Sequence, residues 1–251
     1  MKRSTFIQTS ILGAAVLASP LLAAAPRRQY ALPLKPGTGE GVTTVINAGV
    51  GGNNTTDLLA RIEKDCLMQQ PDLVILMAGT NDMNSKKFVP LPAFEKNMQQ
   101  LISSIQKIKS DIMLINLLPV YEPYLFTRHE RSFYEPEGHS GRLQQMNASI
   151  KKLALQNKTA FADLYRVFSR AGNIGPGISS LLKNEANSKS TDGLHPTADG
   201  YRVMAVAIHA ALLCNELANK KKIVCFGDSI TKGDGIEGGE NYPSYLQKLL
   251  Y

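Results

Sequence analysis

Five short apolar segments constrain the fold of this chain more than any other feature. They consist largely of Val, Ile, Leu and Ala, and turn residues bound them at 43–48, 73–78, 112–118, 159–163 and 222–226. Near-continuous apolar runs of this length are typical of strands covered on both faces, as in a parallel sheet. The sequence therefore predicts a buried five-stranded parallel sheet.

Stretches with helical spacing of apolar residues lie between these segments. In one of them Phe94, Met98, Leu101 and Ile105 recur at intervals of three or four residues. The predicted helices are 55–69, 94–108, 143–156, 197–217 and 243–250. Alternating strands and helices predict a doubly wound α/β domain with helices on both faces of the sheet.

The composition is that of an ordinary globular domain. Of the 251 residues, 43% are hydrophobic and 20% are charged, which argues against disorder, collagen-like repeats and a coiled coil. Three cysteines without a Cys-x-x-Cys pair argue against a disulfide framework and a zinc site, so we expect no metal and no cofactor. The 28 Lys and Arg exceed the 21 Asp and Glu without forming a wide basic face, so we expect no nucleic-acid partner.

Residues 1–25 have the layout of a secretory signal peptide. Two basic residues precede an apolar run at 11–22, and small residues follow it. A membrane anchor is the alternative, but Ser19 and Pro20 interrupt the run, which is shorter than the roughly 20 residues of a spanning helix. We predict cleavage of this segment, a secreted or periplasmic protein without a stable membrane anchor, and a single domain at 26–251.

A candidate nucleophile follows the last predicted strand. Ser229 lies in Gly227-Asp228-Ser229, directly after 222–226. In an open parallel sheet the carboxyl ends of the strands form the binding crevice. An isolated serine hydroxyl is weak and needs a neighbouring base, and this tripeptide by itself is more typical of a turn.

Asp192 and His195 are the candidates for that base. They are three residues apart in a tight loop, so the carboxylate can accept a hydrogen bond from one imidazole nitrogen. The other nitrogen is then free to take a proton from a serine. Without Ser229 in the chain, a turn or capping aspartate and a surface histidine would be the better interpretation.

Two further strand ends offer hydrogen-bond donors for an oxyanion. Residues 47–53 contain Gly52, whose backbone N–H is accessible because glycine has no side chain, and residues 78–82 contain the amide of Asn81. Each stretch by itself fits a strand-to-helix turn equally well. Asp82 is expected to be structural, as the N-cap of the segment that follows it.

Together these blocks resemble those of the SGNH hydrolase superfamily, the GDSL-type esterases and lipases. The matching stretches are 224–231, 47–52, 79–82 and 192–196. The resemblance implies a three-layer α/β/α, flavodoxin-like sandwich with a five-stranded parallel sheet. It also implies a carboxylic ester hydrolase that works through an acyl-enzyme.

The resemblance assigns roles to individual residues. It implies that Ser229 is the nucleophile, that His195 is general base and then general acid, and that Asp192 orients His195. The implied oxyanion hole consists of the Ser229 N–H, the Gly52 N–H and the Asn81 amide. Gly49 and Gly51 lie close to Gly52, which is preferred because it is the last glycine before the helical stretch.

The order of the blocks departs from that of the family. The serine block usually comes first, whereas here it comes last, so the chain looks like a circular permutant. Such a rearrangement is physically tolerable because domain termini often lie close together. It predicts that Tyr251 lies near residues 30–33.

Two long connections, 121–142 and 169–191, are candidates for substrate contacts. The first contains aromatic and arginine side chains that could stack on a sugar ring or cover an acyl chain: Tyr124, Phe126, Arg128, Arg131 and Tyr134. We expect a short-chain, acetyl-type esterase acting on carbohydrate. A lysophospholipase or thioesterase of the same superfamily and a non-catalytic binding domain with this fold are the alternatives.

Three histidines and one cysteine outside these blocks receive structural interpretations. His129 and His139 could touch substrate, but we predict them to be surface residues, and His209 is predicted to be packed or partly buried within the apolar helix of 197–217. Cys225 lies inside a predicted strand and is expected to be a small core residue rather than a nucleophile.

Overall fold

The structure, a computed structural model, describes residues 42–250, and they contain a five-stranded parallel sheet. The strands are β1 Thr44–Gly49, β2 Leu73–Met77, β3 Asp111–Ile115, β4 Ala160–Ala162 and β5 Lys222–Gly227. All five predicted strands are confirmed, with ends that shift by up to three residues. They are parallel throughout, as continuous apolar runs predict.

The strand order shows the permutation directly. It is β1-β5-β2-β3-β4, so the last strand along the chain lies between the first and the second. If β5 is counted as the first strand, the order becomes 2-1-3-4-5, which is that of the flavodoxin-like doubly wound fold. Val224 of β5 is paired with Ile46 on one side and with Val74 on the other.

Helices cover both faces of the sheet. One face packs against α1 Thr55–Asp65, α2 Leu91–Lys107 and α4 Gly138–Gln156, and the other packs against α5 Leu164–Ala171, α7 Ala198–Cys214 and α9 Tyr242–Leu249. Single helical turns form α3 Glu122–Leu125, α6 Glu185–Ser188 and α8 Ser229–Lys232. Further 3-10 turns are Leu67–Gln69, Asn81–Met83 and Arg131–Tyr134. The sequence analysis missed α5, and it did not predict the helical turns that the structure shows within the two long connections.

The alternation of strand side chains explains why the sheet needs two helical layers. On β2, Val74 and Leu76 face one layer, while Leu73, Ile75 and Met77 face the other, and all five side chains are fully buried. Burying one such side chain contributes roughly 1.5–3 kcal/mol. The apolar run is therefore continuous because both of its faces are covered.

The C-terminal helix α9 lies against the entrance of β1. The Gln247 side chain donates to the Thr43 carbonyl at 2.6 Å and accepts from the Val45 N–H at 2.7 Å. The predicted signal peptide at 1–25, the domain start at 26 and the proximity of Tyr251 to residues 30–33 lie outside the described residues. From residue 42 to residue 250, no helix is long and apolar enough to cross a bilayer.

Candidate active site

Ser229 occupies the first position of α8, one residue after the end of β5, which lies between β1 and β2 in the sheet. The two preceding residues, Gly227 and Asp228, allow the chain to turn sharply between the strand and the helix. A Cβ on Gly227 would overlap the Thr231 side chain and lie 2.5 Å from the Met77 carbonyl oxygen, so only glycine fits. Asp228 is the N-cap, and its carboxylate accepts from the Ile230 N–H at 2.9 Å.

The structure brings the three predicted triad residues together. Ser229 Oγ lies 2.9 Å from His195 Nε2, and His195 Nδ1 lies 2.8 Å from Asp192 Oδ2. Residues 34 positions apart therefore meet at the carboxyl end of the sheet. The distances are those of a serine hydroxyl, a base and the carboxylate that orients the base.

Hydrogen bonds keep the Asp192 carboxylate charged. Burial by itself would raise its pKa, but the His195 ring and the backbone N–H groups of His195 and Leu194 lower the pKa to about 2. Facing an ionised carboxylate, His195 Nδ1 must carry the proton. Nε2 is then the acceptor that faces the Ser229 hydroxyl, which is the protonation state that proton removal requires.

Residues of the connection 121–142 pack against the Asp192–His195 loop and form hydrogen bonds to it. Gly193 has a positive φ of +67°, and a Cβ there would lie 2.8 Å from the Tyr121 carbonyl oxygen. The Tyr121 N–H donates to the Gly193 carbonyl at 2.8 Å, and Arg128 donates to the carbonyls of Thr191 and Asp192 at 3.2 and 2.6 Å. The connection 121–142 thus supports the Asp192–His195 loop, and several of its residues also line the cavity beside Ser229.

Asn81 lies in the same cavity as Ser229 and His195. Its Nδ2 donates to the Asn53 carbonyl at 2.9 Å and lies 3.5 Å from Asp228 Oδ2. The amide is therefore beside the serine turn, as a donor to an oxyanion must be.

The three glycines of the first block have different surroundings from Asn81. Gly52 has a positive φ of +77° and immediately precedes Asn53. Within the described chain, the cavity lining contains none of Gly49, Gly51 and Gly52. The choice of Gly52 as a backbone donor stays a prediction.

Arg61 of α1 forms hydrogen bonds to the ends of β1 and β5, the strands next to the site. Its guanidinium donates to the Gly227 carbonyl at 2.8 Å, to the Ala48 carbonyl at 2.9 Å and to Asn53 Oδ1 at 2.6 Å. It also lies 4.4 Å above the Phe226 ring. The sequence analysis missed Arg61, because two of its partners are backbone carbonyls at strand ends, which no residue type reveals.

The prediction for Asp82 is wrong in its detail. Asp82 lies inside the 3-10 turn Asn81–Met83, so its side chain is not the N-cap of that turn. It is fully buried and accepts from the Thr55 N–H at 3.1 Å and from Thr55 Oγ1 at 2.5 Å, at the start of α1. Burial raises its pKa to about 6, and burial also raises the pKa of nearby Asp228 to about 6.

The site opens into a cavity of about 260 Å³. Of the five residues predicted to bind substrate, Arg128 and Tyr134 line it. The other three have partners outside the lining. Tyr124 donates to Glu185 at 3.3 Å, and the Arg131 guanidinium lies 4.4 Å above the Phe126 ring.

The predictions for the remaining histidines and the cysteine have different outcomes. His139 is only 3% exposed, so its assignment to the surface is wrong, and both His139 and the half-buried His129 line the cavity. The local pattern missed this because α4 extends five residues further towards its N-terminus than predicted. The partly buried position of His209 and the core position of Cys225 are confirmed, and burial raises the pKa of the Cys225 thiol.

Across the described residues, no group of three His, Cys, Asp or Glu side chains is arranged to hold a metal ion.

Residues 19–203 match the model of the GDSL-like Lipase/Acylhydrolase family. The chain belongs to this family. It is a carboxylic ester hydrolase, and the resemblance to the SGNH hydrolase superfamily is confirmed. The family match ends at residue 203, before the serine turn, so the folded geometry is what joins Ser229 to the matched blocks.

Curated relatives of this GDSL-family hydrolase include an acetylxylan esterase of Geobacillus stearothermophilus, which is 25% identical over 65% of this chain and 69% of the relative. The uncharacterized lipoprotein YqeF of Bacillus subtilis (strain 168) is 27% identical over 71% of this chain and 77% of its own length.

Similar solved structures include an acetyl xylan esterase, AlAXEase, with a TM-score of 0.52 and 25% identity, covering 66% of this chain and 79% of that chain. A lipase/acylhydrolase from Enterococcus faecalis has a TM-score of 0.50 and 20% identity, covering 65% and 72%. The second likeness concerns the fold alone.

Proposed function

We propose that this GDSL-family hydrolase is a secreted esterase that removes short acyl groups, acetyl above all, from carbohydrate. Its nucleophile is Ser229. The observation that carries the proposal is the chain of hydrogen bonds from Ser229 Oγ to His195 Nε2, 2.9 Å, and from His195 Nδ1 to Asp192 Oδ2, 2.8 Å.

The proposed reaction has two halves. Ser229 Oγ attacks the ester carbonyl while His195 Nε2 takes its proton, and Asp192 stabilises the imidazolium that forms. The alcohol leaves with the proton from His195, and an acyl group remains on Ser229. Water then attacks the acyl-enzyme with His195 again as base, and the carboxylic acid is released.

The proposed oxyanion hole combines backbone and side-chain donors. The Ser229 N–H and the Asn81 amide face the negative oxygen of the tetrahedral intermediate, and Gly52 supplies a further N–H. Such donors stabilise charge that develops only in the transition state, so they act on kcat.

The cavity and the relatives support a small substrate. A cavity of about 260 Å³ is below the roughly 300–1,000 Å³ of pockets that bury drug-sized ligands. The relatives that carry an activity in their names include acetylxylan esterases. Both observations favour an acetyl ester over a long acyl chain.

A 4-nitrophenyl ester series from acetate to palmitate tests the proposal, with Ser229→Ala in parallel. We expect hydrolysis to be fastest with acetate and to be lost in the variant. Ser169→Ala, an exposed serine on α5, is the matched control and keeps full activity. Rates that rise with chain length would favour a lysophospholipase, and near-normal activity of Ser229→Ala would contradict the nucleophile assignment.

Export is a separate part of the proposal and has a separate test. The layout of residues 1–25 favours removal of this segment during secretion. Mass spectrometry of the protein recovered outside the cytoplasm should find a new N-terminus near residue 25. An intact Met1 on the active enzyme would contradict it.

A further inference from the structure

His139 is an enclosed polar side chain on the wall of the catalytic cavity. It lies in the first turn of α4, is 3% exposed and packs edge-on against Tyr134, with ring centroids 5.2 Å apart. Its Nδ1 is buried without a hydrogen-bond partner and lies 3.6 Å from Glu122 Oε1. A buried polar atom of this kind calls for an explanation, because nearly all such atoms are satisfied.

The surroundings of His139 favour one protonation state. Burial lowers the pKa of the imidazole, against the opposing effect of Glu122, so the ring is neutral at pH 7. Glu122 accepts a hydrogen bond from Ser140 Oγ at 2.6 Å, as a carboxylate does. Nδ1 faces this acceptor, so it carries the proton, and Nε2 is left as an acceptor. Among the described residues, none makes a hydrogen bond to Nε2.

Tyr134 adds a donor beside this acceptor. Its side chain also lines the cavity, and burial raises its pKa to about 12, so the hydroxyl keeps its proton. Its hydroxyl makes no hydrogen bond to another described residue. The two neighbouring rings, with centroids 5.2 Å apart, both line the cavity that contains Ser229, and they carry an unused acceptor and an unused donor.

We propose that His139 and Tyr134 form a subsite that binds a hydroxyl group of the alcohol part of the ester. A hydroxyl both donates and accepts, so it can donate to His139 Nε2 and accept from the Tyr134 O–H at the same time. A short acyl group has no donor, which assigns the hydroxyl to the alcohol. The inference rests on the proposed function and adds a specificity rule to it: the substrate is a partly acylated polyol or sugar with a free hydroxyl.

The test compares three ester substrates on the purified enzyme. Methyl 2-O-acetyl-β-xylopyranoside has free hydroxyls, and its 3-deoxy and 4-deoxy analogues each lack one. For the wild type, we expect kcat/KM to fall about tenfold or more when the bound hydroxyl is removed, since the subsite is then left unsatisfied. Equal rates with all three substrates would overturn the inference without any variant.

Variants assign the discrimination to His139. In His139→Phe the ratio of rates between the hydroxylated and the deoxy substrate should fall towards one, and His139→Gln, which keeps an oxygen acceptor at similar reach, should restore part of it. His209→Phe, a histidine of α7 outside the cavity lining, is the matched control and should keep the wild-type ratio. An unchanged ratio in His139→Phe would overturn the assignment, and thermal melting checks that each variant is folded.

The same samples separate this inference from the function on which it rests. If 4-nitrophenyl acetate is hydrolysed by the wild type but not by Ser229→Ala, while the deoxy substrates react as fast as the hydroxylated one, the esterase assignment stands and the subsite is wrong. If Ser229→Ala stays active, the catalytic assignment itself is wrong.

Discussion

Two histidine–carboxylate pairs belong to this site, and they differ in how they are held. Asp192 and His195 are three residues apart in one loop, with Nδ1 and Oδ2 separated by 2.8 Å. Glu122 and His139 belong to two different helices, and their nearest atoms are 3.6 Å apart. A pair formed within one turn is fixed by its own backbone, whereas a pair formed between two elements depends on how they pack.

The difference extends to charge. Asp192 accepts hydrogen bonds from two backbone N–H groups as well as from the His195 ring, and these bonds lower its pKa to about 2. Burial lowers the pKa of His139, and its Nδ1 has no hydrogen-bond partner. The ionised Asp192 can stabilise a positive imidazolium on His195, as the proposed reaction requires, whereas burial favours the neutral form of His139.

The largest effect should come from breaking the first pair. Asp192→Asn removes the acceptor that sets the His195 tautomer and stabilises its charged form, so we expect kcat to fall by about 10³–10⁴. Steady-state kinetics with 4-nitrophenyl acetate measures it. Asp199→Asn, an exposed carboxylate on α7, is the control, and a loss below tenfold in Asp192→Asn would mean that His195 is oriented without its partner.

Asn81→Ala should have the next largest effect. Loss of its amide from the oxyanion hole should lower kcat by roughly a hundredfold, with little change in KM. Asn97→Ala, an asparagine of α2 that bonds to Thr55 and Thr56, provides the comparison. An effect confined to KM would make Asn81 a ground-state binder.

The Asp192 pair should also contribute to acid stability. Its pKa is lowered from 3.8 to about 2 by folding, so it contributes about 2 kcal/mol above pH 4, and this contribution is lost as the pH falls towards 2. Urea unfolding of the wild type and Asp192→Asn at several pH values should show their difference shrinking over that range.

Asp82→Asn gives the opposite sign in the same experiment. Burial raises the pKa of Asp82 from 3.8 to about 6, so its favourable contribution is present below pH 4 and is lost as the pH rises through 6. If the difference in unfolding free energy from the wild type changed with pH in the same direction for Asp192→Asn and Asp82→Asn, the opposite pKa shifts of the two carboxyl groups would be contradicted.

The smallest effect concerns the second pair. Glu122→Gln removes the negative charge that opposes the effect of burial, so the pKa of His139 should fall further below its ordinary value. The chemical shift of the imidazole protons against pH measures it, with His209 as the internal reference. An unchanged pKa of His139 would mean that Glu122 does not act on the ring.

The same contrast explains how much the sequence predicts. The strands follow from continuous apolar runs, and the Asp192–His195 pair follows from a spacing of three residues, so both are local patterns. The meeting of Ser229 with His195 is predicted only through the resemblance to the SGNH superfamily.

What the sequence does not predict depends on contacts between distant segments. Arg61 donates to carbonyl groups at the ends of two strands. Every residue has a backbone carbonyl, so the sequence does not reveal which ones an arginine will bind. Asp82 caps a helix that begins 27 residues earlier. The position of His139 depends on the first turn of α4. This turn is polar and lacks the apolar periodicity from which a helix is predicted.

The position of β5 has a consequence for how a nascent chain assembles. Contacts between β1 and the entrance of β5 join residues about 177 positions apart, as between Thr43 and Lys220. A chain that has emerged from the ribosome only as far as α7 has β1 on one side and β2–β4 on the other, with no strand between them. Long-range pairing of this kind folds slowly. Of the five described strands, β5 is synthesised last, so its insertion completes the sheet and brings Ser229 to His195 in one event. A chain truncated before β5 has neither.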